Sequence, residues 1–170
     1  MDRPLTSLEY TALGIILKRG PCVAHIVVKE FGDSHTQAYR SGAGSVYPLM
    51  KRLHEAGLLS CTHREYSLTE AGLAELKKWL QPPFDPSVIS TNLDLIRSRT
   101  YFLRLLTEDE IASFIDFSQQ GLHRVLEECR NSLLQFREMG DKPSEFAMLG
   151  AVRETESRIK WLEEVRSAFC

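Results

Sequence analysis

A tyrosine and two cations at helical spacing, followed by a short basic turn, are the residues of this chain best suited to bind a nucleic acid. Tyr47, Lys51 and Arg52 fall within one predicted helix. A hydroxyl, an ammonium and a guanidinium can all donate to phosphate oxygens, and the two cations can also reach guanine edges. His63 and Arg64 occupy a turn between two predicted strands, where they would contact the adjacent backbone. The pattern predicts binding to double-stranded DNA.

The elements that must position these side chains are predicted between residues 42 and 68. Ser45 is expected to cap a helix, and Pro48 falls in its first turn, where a missing N–H costs nothing. Two short strands are predicted at 58–62 and 66–68. A helix followed by a β-hairpin is typical of the recognition helix and wing of a winged helix-turn-helix domain. The helix side predicted to face the core consists of Val46, Leu49, Met50 and Leu53.

The start of this helix is predicted to bind a phosphate group. Its first N–H groups would lack intrahelical partners, and Gly42 and Gly44 would let a DNA backbone approach closely. Three alternatives stay open: Tyr47 half-buried against the second helix, Lys51 and Arg52 as an ordinary solvated face, and Arg64 paired with Glu65. The predicted DNA-binding residues are Gly44, Ser45, Tyr47, Pro48, Lys51, Arg52, His63 and Arg64.

Two helices and a loop are predicted ahead of this segment. Thr6 or Ser7 can cap the first helix, with Glu9 in its first turn, where an acid suits the helix dipole. A second helix is predicted at 22–31. The polar segment 32–44, rich in Gly and Ser, is predicted to be a loop.

A mainly α fold in two domains follows from the remaining pattern. Thr69 is expected to cap a further helix with Leu73, Leu76, Trp79 and Leu80 on its apolar side, and Pro82-Pro83 ends the first domain. Residues 1–83 are therefore predicted to be a winged helix-turn-helix domain with a small β-hairpin wing. Residues 84–170 are predicted to be a long-helix dimerisation module.

The segments SVYPLMKRLHEAGLLS and YSLTEAGLAELKKWL closely resemble the PadR family of transcriptional regulators. The resemblance covers the N-terminal half with specific motifs and the C-terminal half only in layout. It implies a homodimeric repressor that binds an inverted-repeat operator through the Ser45 helix, with the wing on the backbone. Because a small aromatic ligand relieves repression in some relatives, it also implies such an effector as a partner to test. The segment 32–44 departs from the family, since many relatives have a shorter turn. The residues matching the family's motifs are Gly44, Ser45, Tyr47, Pro48, Leu49, Leu53, Gly57, Leu58, Tyr66, Leu68, Thr69 and Gly72.

Three helices are predicted in the C-terminal half: 92–106, a long helix after Thr107, and 144–169. A winged helix is too small to cover such long apolar seams, so an antiparallel helix pair that meets its two-fold mate is expected to bury them. A monomeric bundle folded back on the winged helix is the alternative. The predicted dimerisation residues approach a 3.5-residue period and are Met148, Val152, Ile159, Leu162 and Phe169. Five further large side chains could line a ligand cavity, although residues of this kind at helical spacing more often belong to the hydrophobic core. They are Phe114, Phe117, Phe136, Met148 and Trp161.

Composition limits the remaining classes of function. The net charge is −2, but residues 1–83 carry +2 and residues 84–170 carry −4, so the positive excess lies with the predicted helix and wing. The four cysteines are scattered without zinc-ligand spacing, and no cofactor or metal is expected. No secretory signal or membrane span is evident, which favours a cytoplasmic protein. A phosphate loop, an HExxH motif and a nucleophile motif are all missing from the sequence, so an enzyme is not expected; a winged helix used for protein–protein contact is the competing interpretation.

Overall fold

The structure is a computed structural model that describes residues 3–34, 36–83 and 94–170. The chain divides into two compact units, Met1–Ser90 and Thr91–Cys170. The boundary predicted after residue 83 stays a prediction, because residues 84–93 lie outside the described residues. The elements of the first unit are α1 (Ser7–Arg19), β1 (Cys22–Val23), α2 (Ala24–Gly32), α3 (Gln37–Gly42), a 3₁₀ helix (Ala43–Ser45), α4 (Val46–Glu55), β2 (Leu59–Thr62), β3 (Glu65–Leu68) and α5 (Glu70–Trp79).

The first helix begins as the sequence predicts. The hydroxyl of Thr6 accepts from the backbone N–H of Glu9, and the Glu9 carboxylate accepts in return from the Thr6 N–H. This reciprocal pair satisfies two amides that would otherwise lack partners. Gly20 ends the helix at φ 77°, a value that glycine adopts without strain.

The prediction of a helix over 22–31 is wrong at its start. Cys22 and Val23 form a short strand that pairs antiparallel with Tyr66 and Glu65 of β3, giving a three-stranded sheet in the order β1-β3-β2. Pairing satisfies backbone groups of the otherwise exposed edge of β3. The helix α2 therefore begins only at Ala24.

The prediction of a loop over 32–44 is also wrong from residue 37 onward, whereas Asp33, Ser34 and Thr36 are not helical and residue 35 lies outside the described residues. Residues 37–42 form α3, and the 3₁₀ helix leads from it into α4 with αR backbone angles at Ala43. Tyr39 packs edge-on against Phe31 at 5.7 Å between ring centroids, and a Cβ on Gly42 would lie 3.1 Å from two methyl carbons of Leu8. Tertiary packing thus overrides the weak helix propensity of the Gly- and Ser-rich segment.

The core of the first unit lies between α1, α2, α4 and the sheet. Thr69 caps α5 as predicted, accepting from the Gly72 N–H at 3.0 Å. Leu76 is buried, but Leu80 is exposed, contrary to prediction, because α5 ends at Trp79. Trp79 stacks on Tyr10 at 4.9 Å. The fully buried large side chains here include Leu13, Val27, Phe31, Val46, Met50, Leu53 and Leu59.

The second unit is a pair of long helices with two short elements ahead of it. Its elements are α6 (Leu95–Thr100), a 3₁₀ helix (Leu103–Leu105), α7 (Glu108–Glu138) and α8 (Lys142–Phe169). The single helix predicted over 92–106 is wrong in its described part, which breaks at Tyr101 and Phe102. Thr107 and Glu110 form the predicted cap of α7, and Asp141 caps α8, which begins at Lys142, two residues before the predicted start.

Packing between α7 and α8 forms the core of the second unit. The buried apolar side chains are Leu103, Ile111, Ile115, Leu122, Leu126, Cys129, Leu133, Val152, Ile159, Leu162 and Val165. Across the described parts of both units, every helix is too short or too polar to cross a bilayer. The cysteines are free: Cys22 and Cys129 are buried, whereas Cys61 and Cys170 are exposed.

Candidate nucleic-acid interface

The helix α4 divides into a buried side and an exposed side, as predicted. Val46, Leu49, Met50 and Leu53 are buried. Tyr47 is 56% exposed, so the alternative that it is half-buried against α2 is not supported. Pro48, Lys51 and Arg52 are exposed on the same helix. The exposed side therefore presents a phenol and two cations to solvent, while the opposite side anchors the helix.

The side-chain cap predicted at Ser45 is wrong, whereas phosphate binding at the start of this helix stays a prediction. Ser45 does not cap α4 through its side chain; its hydroxyl instead donates to the Gly42 carbonyl at 2.8 Å. Because the 3₁₀ helix precedes α4, the Val46 N–H is already bonded to the Ala43 carbonyl. Gly42 is packed against Leu8 rather than open to a ligand, whereas a Cβ on Gly44 would meet nothing within 4 Å. Gly44 and Ser45 remain exposed beside the face of α4, but without free helix-start amides at position 46.

Arg52 belongs to an ion cluster that sequence analysis did not find. Its Nε and Nη2 donate to Oε1 of Glu9 at 3.3 and 3.2 Å. Arg3 donates to both carboxylate oxygens of Glu9 at 2.9 Å each, and Thr6 adds its N–H and hydroxyl. Glu9 is only 1% exposed, whereas the two arginine side chains are about half exposed, at 47% and 49%.

The Glu9 carboxylate is held in its charged form. Burial alone would raise its pKa, but hydrogen bonds from Arg3, Thr6 and Arg52 outweigh burial and lower the pKa to about 2. The pattern T-x-x-E at Thr6–Glu9 is a sequence signal for the cap, but it gave no sign that the carboxylate would also receive two arginines. Arg52 is thus both a surface cation and a link from α4 to α1.

Two further side chains of α4 have partners that limit their freedom. Lys51 Nζ lies 3.6 Å from Glu55 Oε1, one turn along the helix, and both side chains are exposed. Such a pair is weak in water, so Lys51 can exchange this partner for a phosphate. Nδ1 of His54 lies 2.9 Å from the Leu59 carbonyl, and its ring contacts Tyr66 edge-on. His54 therefore joins α4 to the sheet, whereas Lys51 stays available.

The wing is a tight hairpin with a basic tip. Thr62 pairs with Glu65 across β2 and β3, which leaves His63 and Arg64 as a two-residue loop. Both have positive φ, 51° and 70°, the combination typical of a type I′ turn. Both side chains are exposed, and within the described residues Arg64 has no ion pair with Glu65. The open alternative of a pair between Arg64 and Glu65 is therefore not supported.

The predicted dimerisation residues lie mostly inside the chain's own helix pair. Val152, Ile159 and Leu162 are buried against α7, Met148 is partly buried on the same core, and Phe169 is partly exposed. The prediction assumed that this seam needed a partner chain. The intramolecular antiparallel pair already covers most of it.

A different apolar surface of α7 is partly exposed within the described residues. Phe117 is 76% exposed, and Val125 and Met139 are exposed as well. Half-buried Phe114 and Gly121 join Phe117 and Val125 at intervals of three or four residues, and half-buried Phe136 returns to the same side eleven residues further along, followed by Met139. We call these six residues the α7 flank.

An open depression of about 510 Å³ lies beside the first turns of α7. Phe114 and Phe117 supply its aromatic lining, so two of the five residues predicted as cavity candidates do line one. Phe136, Met148 and Trp161 do not line it. Its complete lining is Leu106, Asp109, Glu110, Ser113, Phe114 and Phe117. Among the described residues, no three side chains of His, Cys, Asp or Glu come together as a metal site.

Comparison with known proteins identifies the fold. No family model matches the chain, and no curated protein does. Among solved structures, Bacillus subtilis PadR in complex with operator DNA matches with a TM-score of 0.81 at 21% identity, covering 99% of this chain and 100% of that chain. The PadR-like transcriptional regulator from Bacillus cereus matches with a TM-score of 0.75 at 14% identity over 100% and 99% of the two chains. The Vibrio cholerae virulence activator AphA matches with a TM-score of 0.60 at 19% identity over 95% and 97%. The chain therefore has the winged-helix fold of PadR and PadR-like transcriptional regulators.

Proposed function

We propose that this chain is a DNA-binding transcriptional regulator that acts in the cytoplasm as a homodimeric repressor on an inverted-repeat operator. The observation that carries the proposal is the exposed face of α4, with Tyr47, Lys51 and Arg52, together with the basic wing tip. The fold supports it, because it is shared along almost the whole chain with a PadR bound to operator DNA. We propose no catalytic role, and the fold's neighbours are named as regulators.

The proposed binding mode has α4 in the major groove and the wing on the neighbouring backbone. Lys51 and Arg52 would reach phosphate oxygens or guanine edges, and Tyr47 would donate to a phosphate. His63 and Arg64 would contact the backbone from the hairpin tip. Glu55 lies on the same exposed side and would repel phosphate, so Lys51 has to exchange Glu55 for the DNA on binding.

Substituting Lys51 by alanine is expected to weaken duplex binding and to lower its salt dependence. Each cation that neutralises a phosphate adds about 0.9 to the slope of log affinity against log salt concentration. Fluorescence anisotropy with a mixed-sequence duplex, titrated at several salt concentrations, measures that slope. Tyr47→Ala should weaken binding with the slope unchanged, since the phenol is neutral. Lys160→Ala on α8 is the matched control and should leave both quantities unchanged.

Two results of that titration would contradict the proposal in different ways. If the wild-type chain binds no duplex even at low salt, the winged helix is better explained as a protein–protein contact module. If wild type binds and both Lys51→Ala and Tyr47→Ala keep the wild-type affinity and salt dependence, the exposed face of α4 is not the DNA-binding surface.

The proposed dimer uses the α7 flank instead of the seam between α7 and α8. The flank puts exposed Phe117 and Val125 on one side of a 31-residue helix and exposed Met139 at its C-terminal cap. Aromatic residues and Met are enriched where protein interfaces are buried. A two-fold axis that pairs the flank with its copy would cover it, and each dimer would carry two winged helices.

Replacing Phe117 by glutamate is expected to convert a dimer into a monomer at micromolar concentration. The charge would have to be buried without a partner in the paired flank, which is strongly unfavourable. Sedimentation velocity over a concentration series measures the change. His123→Glu places a carboxylate at an exposed position on the opposite side of α7 and should stay dimeric. A wild-type chain that sediments as a monomer at micromolar concentration would contradict the homodimer itself.

A small aromatic effector is a further part of the proposal. Bacillus subtilis PadR has been solved in complex with p-coumaric acid, and that structure matches this chain with a TM-score of 0.77 at 20% identity. The depression beside α7 is a poor site for a phenolic acid, because the carboxylates of Asp109 and Glu110 line it. Thermal-shift screening of aromatic acids and of aromatic cations separates the two classes of effector.

A further inference from the structure

The cluster around Glu9 carries more positive than negative charge. One buried carboxylate holds two guanidinium groups, so Arg3, Arg52 and Glu9 together carry a net charge of +1. Each guanidinium has five N–H donors. Arg3 uses three of them, two on Glu9 and one on the Pro4 carbonyl, and Arg52 uses two on Glu9.

The remaining donors are available to a ligand. Within residues 3–34, 36–83 and 94–170, the two arginines have no further hydrogen-bond partners, and both side chains are about half exposed. Arg3 Nη2 and Arg52 Nη2 both contact Oε1 of Glu9, at 2.9 and 3.2 Å, so the two nitrogens are at most about 6 Å apart. One phosphate group with its several oxygens can accept from both.

The place of the cluster connects it to the face of α4. Arg52 follows Lys51 directly on that helix, and Arg3 lies in the segment ahead of α1. Glu9 holds both guanidinium groups through charge-assisted hydrogen bonds. The two side chains are therefore ordered before a ligand binds.

Building on the proposed function, we propose that Arg3 and Arg52, held in place by the buried Glu9, form a two-arginine clamp for one DNA backbone phosphate beside the α4 face. The segment before α1 thereby becomes part of the DNA interface, and Glu9 is a positioning residue that does not itself contact DNA. The phosphate is a duplex phosphodiester; a free phosphate ion is the other source of the same chemistry.

The test is the salt dependence of duplex binding for Arg3 variants. Arg3→Ala should lower the slope of log affinity against log salt by about 0.9, which is a roughly tenfold loss of affinity at 0.1 M salt. Arg3→Gln should give the same slope change while its amide still donates to Glu9, which guards against a folding defect in the alanine variant. Arg3→Lys should restore the wild-type slope. Arg124→Ala, an exposed position on α7, is the matched control with an unchanged slope.

The outcomes separate the clamp from the proposed function. If wild type binds duplex but Arg3→Ala and Arg3→Gln both keep the wild-type salt dependence, Arg3 only stabilises the Glu9 carboxylate. That result would refute the clamp and leave the proposed DNA binding intact. If wild type binds no duplex, the proposed function fails and the clamp with it. Titrating inorganic phosphate against the wild-type complex distinguishes the sources: competition no stronger than that of sulfate at equal ionic strength supports a duplex phosphodiester, and selective competition by millimolar phosphate would overturn that assignment.

Discussion

Replacing Gly72 by alanine is expected to destabilise the first unit by about 3 kcal/mol. A Cβ at this position would lie 2.1 Å from the Leu58 carbonyl oxygen and 3.0 Å from Leu68 Cδ2. The carbonyl cannot simply move away, because it accepts from the Thr69 N–H at 3.2 Å and so connects the end of α4 to the start of α5. The glycine that matches the PadR motif is therefore required by a backbone contact between two elements.

Urea unfolding measures this loss, with Trp79 as the probe in a Trp161→Phe background so that the signal reports the first unit. Gly150→Ala is the matched control, since a Cβ there would meet nothing within 4 Å in the middle of α8. That control should be neutral for the first unit and should stabilise the second by up to about 1 kcal/mol. An unchanged unfolding midpoint for Gly72→Ala would show that α5 does not lie this close to residue 58.

Protonating Glu9 is expected to remove roughly 3 kcal/mol of stability, the free energy that corresponds to a pKa lowered from 4.5 to about 2. Because the folded pKa lies below the unfolded one, this contribution is fully present above pH 4.5 and is lost as pH falls from about 4.5 towards about 2. Glu9→Gln cannot gain the proton. The stability difference between wild type and Glu9→Gln should therefore shrink across that interval.

Unfolding free energies at pH 7, 5, 4 and 3 test the Glu9 prediction with the same Trp79 probe. Glu163→Gln on α8 is the matched control: the residue is exposed in the second unit, and its loss should leave the unfolding of the first unit unchanged. A difference between wild type and Glu9→Gln that stays constant from pH 7 to pH 3 would mean that the carboxylate is not held by the two arginines.

Local signals in the sequence predicted those parts of the fold that local chemistry decides. The caps at Thr6, Thr69 and Thr107 are confirmed, because a hydroxyl three residues before an N–H is a short-range interaction. The buried stripe of α4 is confirmed for the same kind of reason, since it depends only on helical spacing.

The wrong predictions lie where contacts between distant residues determine the local structure. The strand at Cys22–Val23 exists because β3 offers it a partner, and nothing in its two residues indicates that partner. The helix α3 forms in a Gly- and Ser-rich segment because Tyr39 packs on Phe31. The dimerisation residues on α8 stay a prediction: several of them pack on α7, and a periodic apolar stripe does not say whether a second chain also contacts it.

The candidate site was predictable in its exposed residues and not in their partners. Tyr47, Lys51 and the wing tip followed from spacing. The link from Arg52 to Glu9 joins residues 43 positions apart, and Arg3 enters it from a segment with no regular structure. Such a contact leaves no periodic trace in a single sequence.

The measurement that tests the account most directly is selection of bound sequences from a pool of random duplexes, followed by the stoichiometry of the selected complex. The account predicts enrichment of an inverted repeat that binds two chains, with half-sites about one helical turn or a multiple of it apart. Enrichment of no sequence, or of a site without two-fold symmetry that binds one chain, would contradict it.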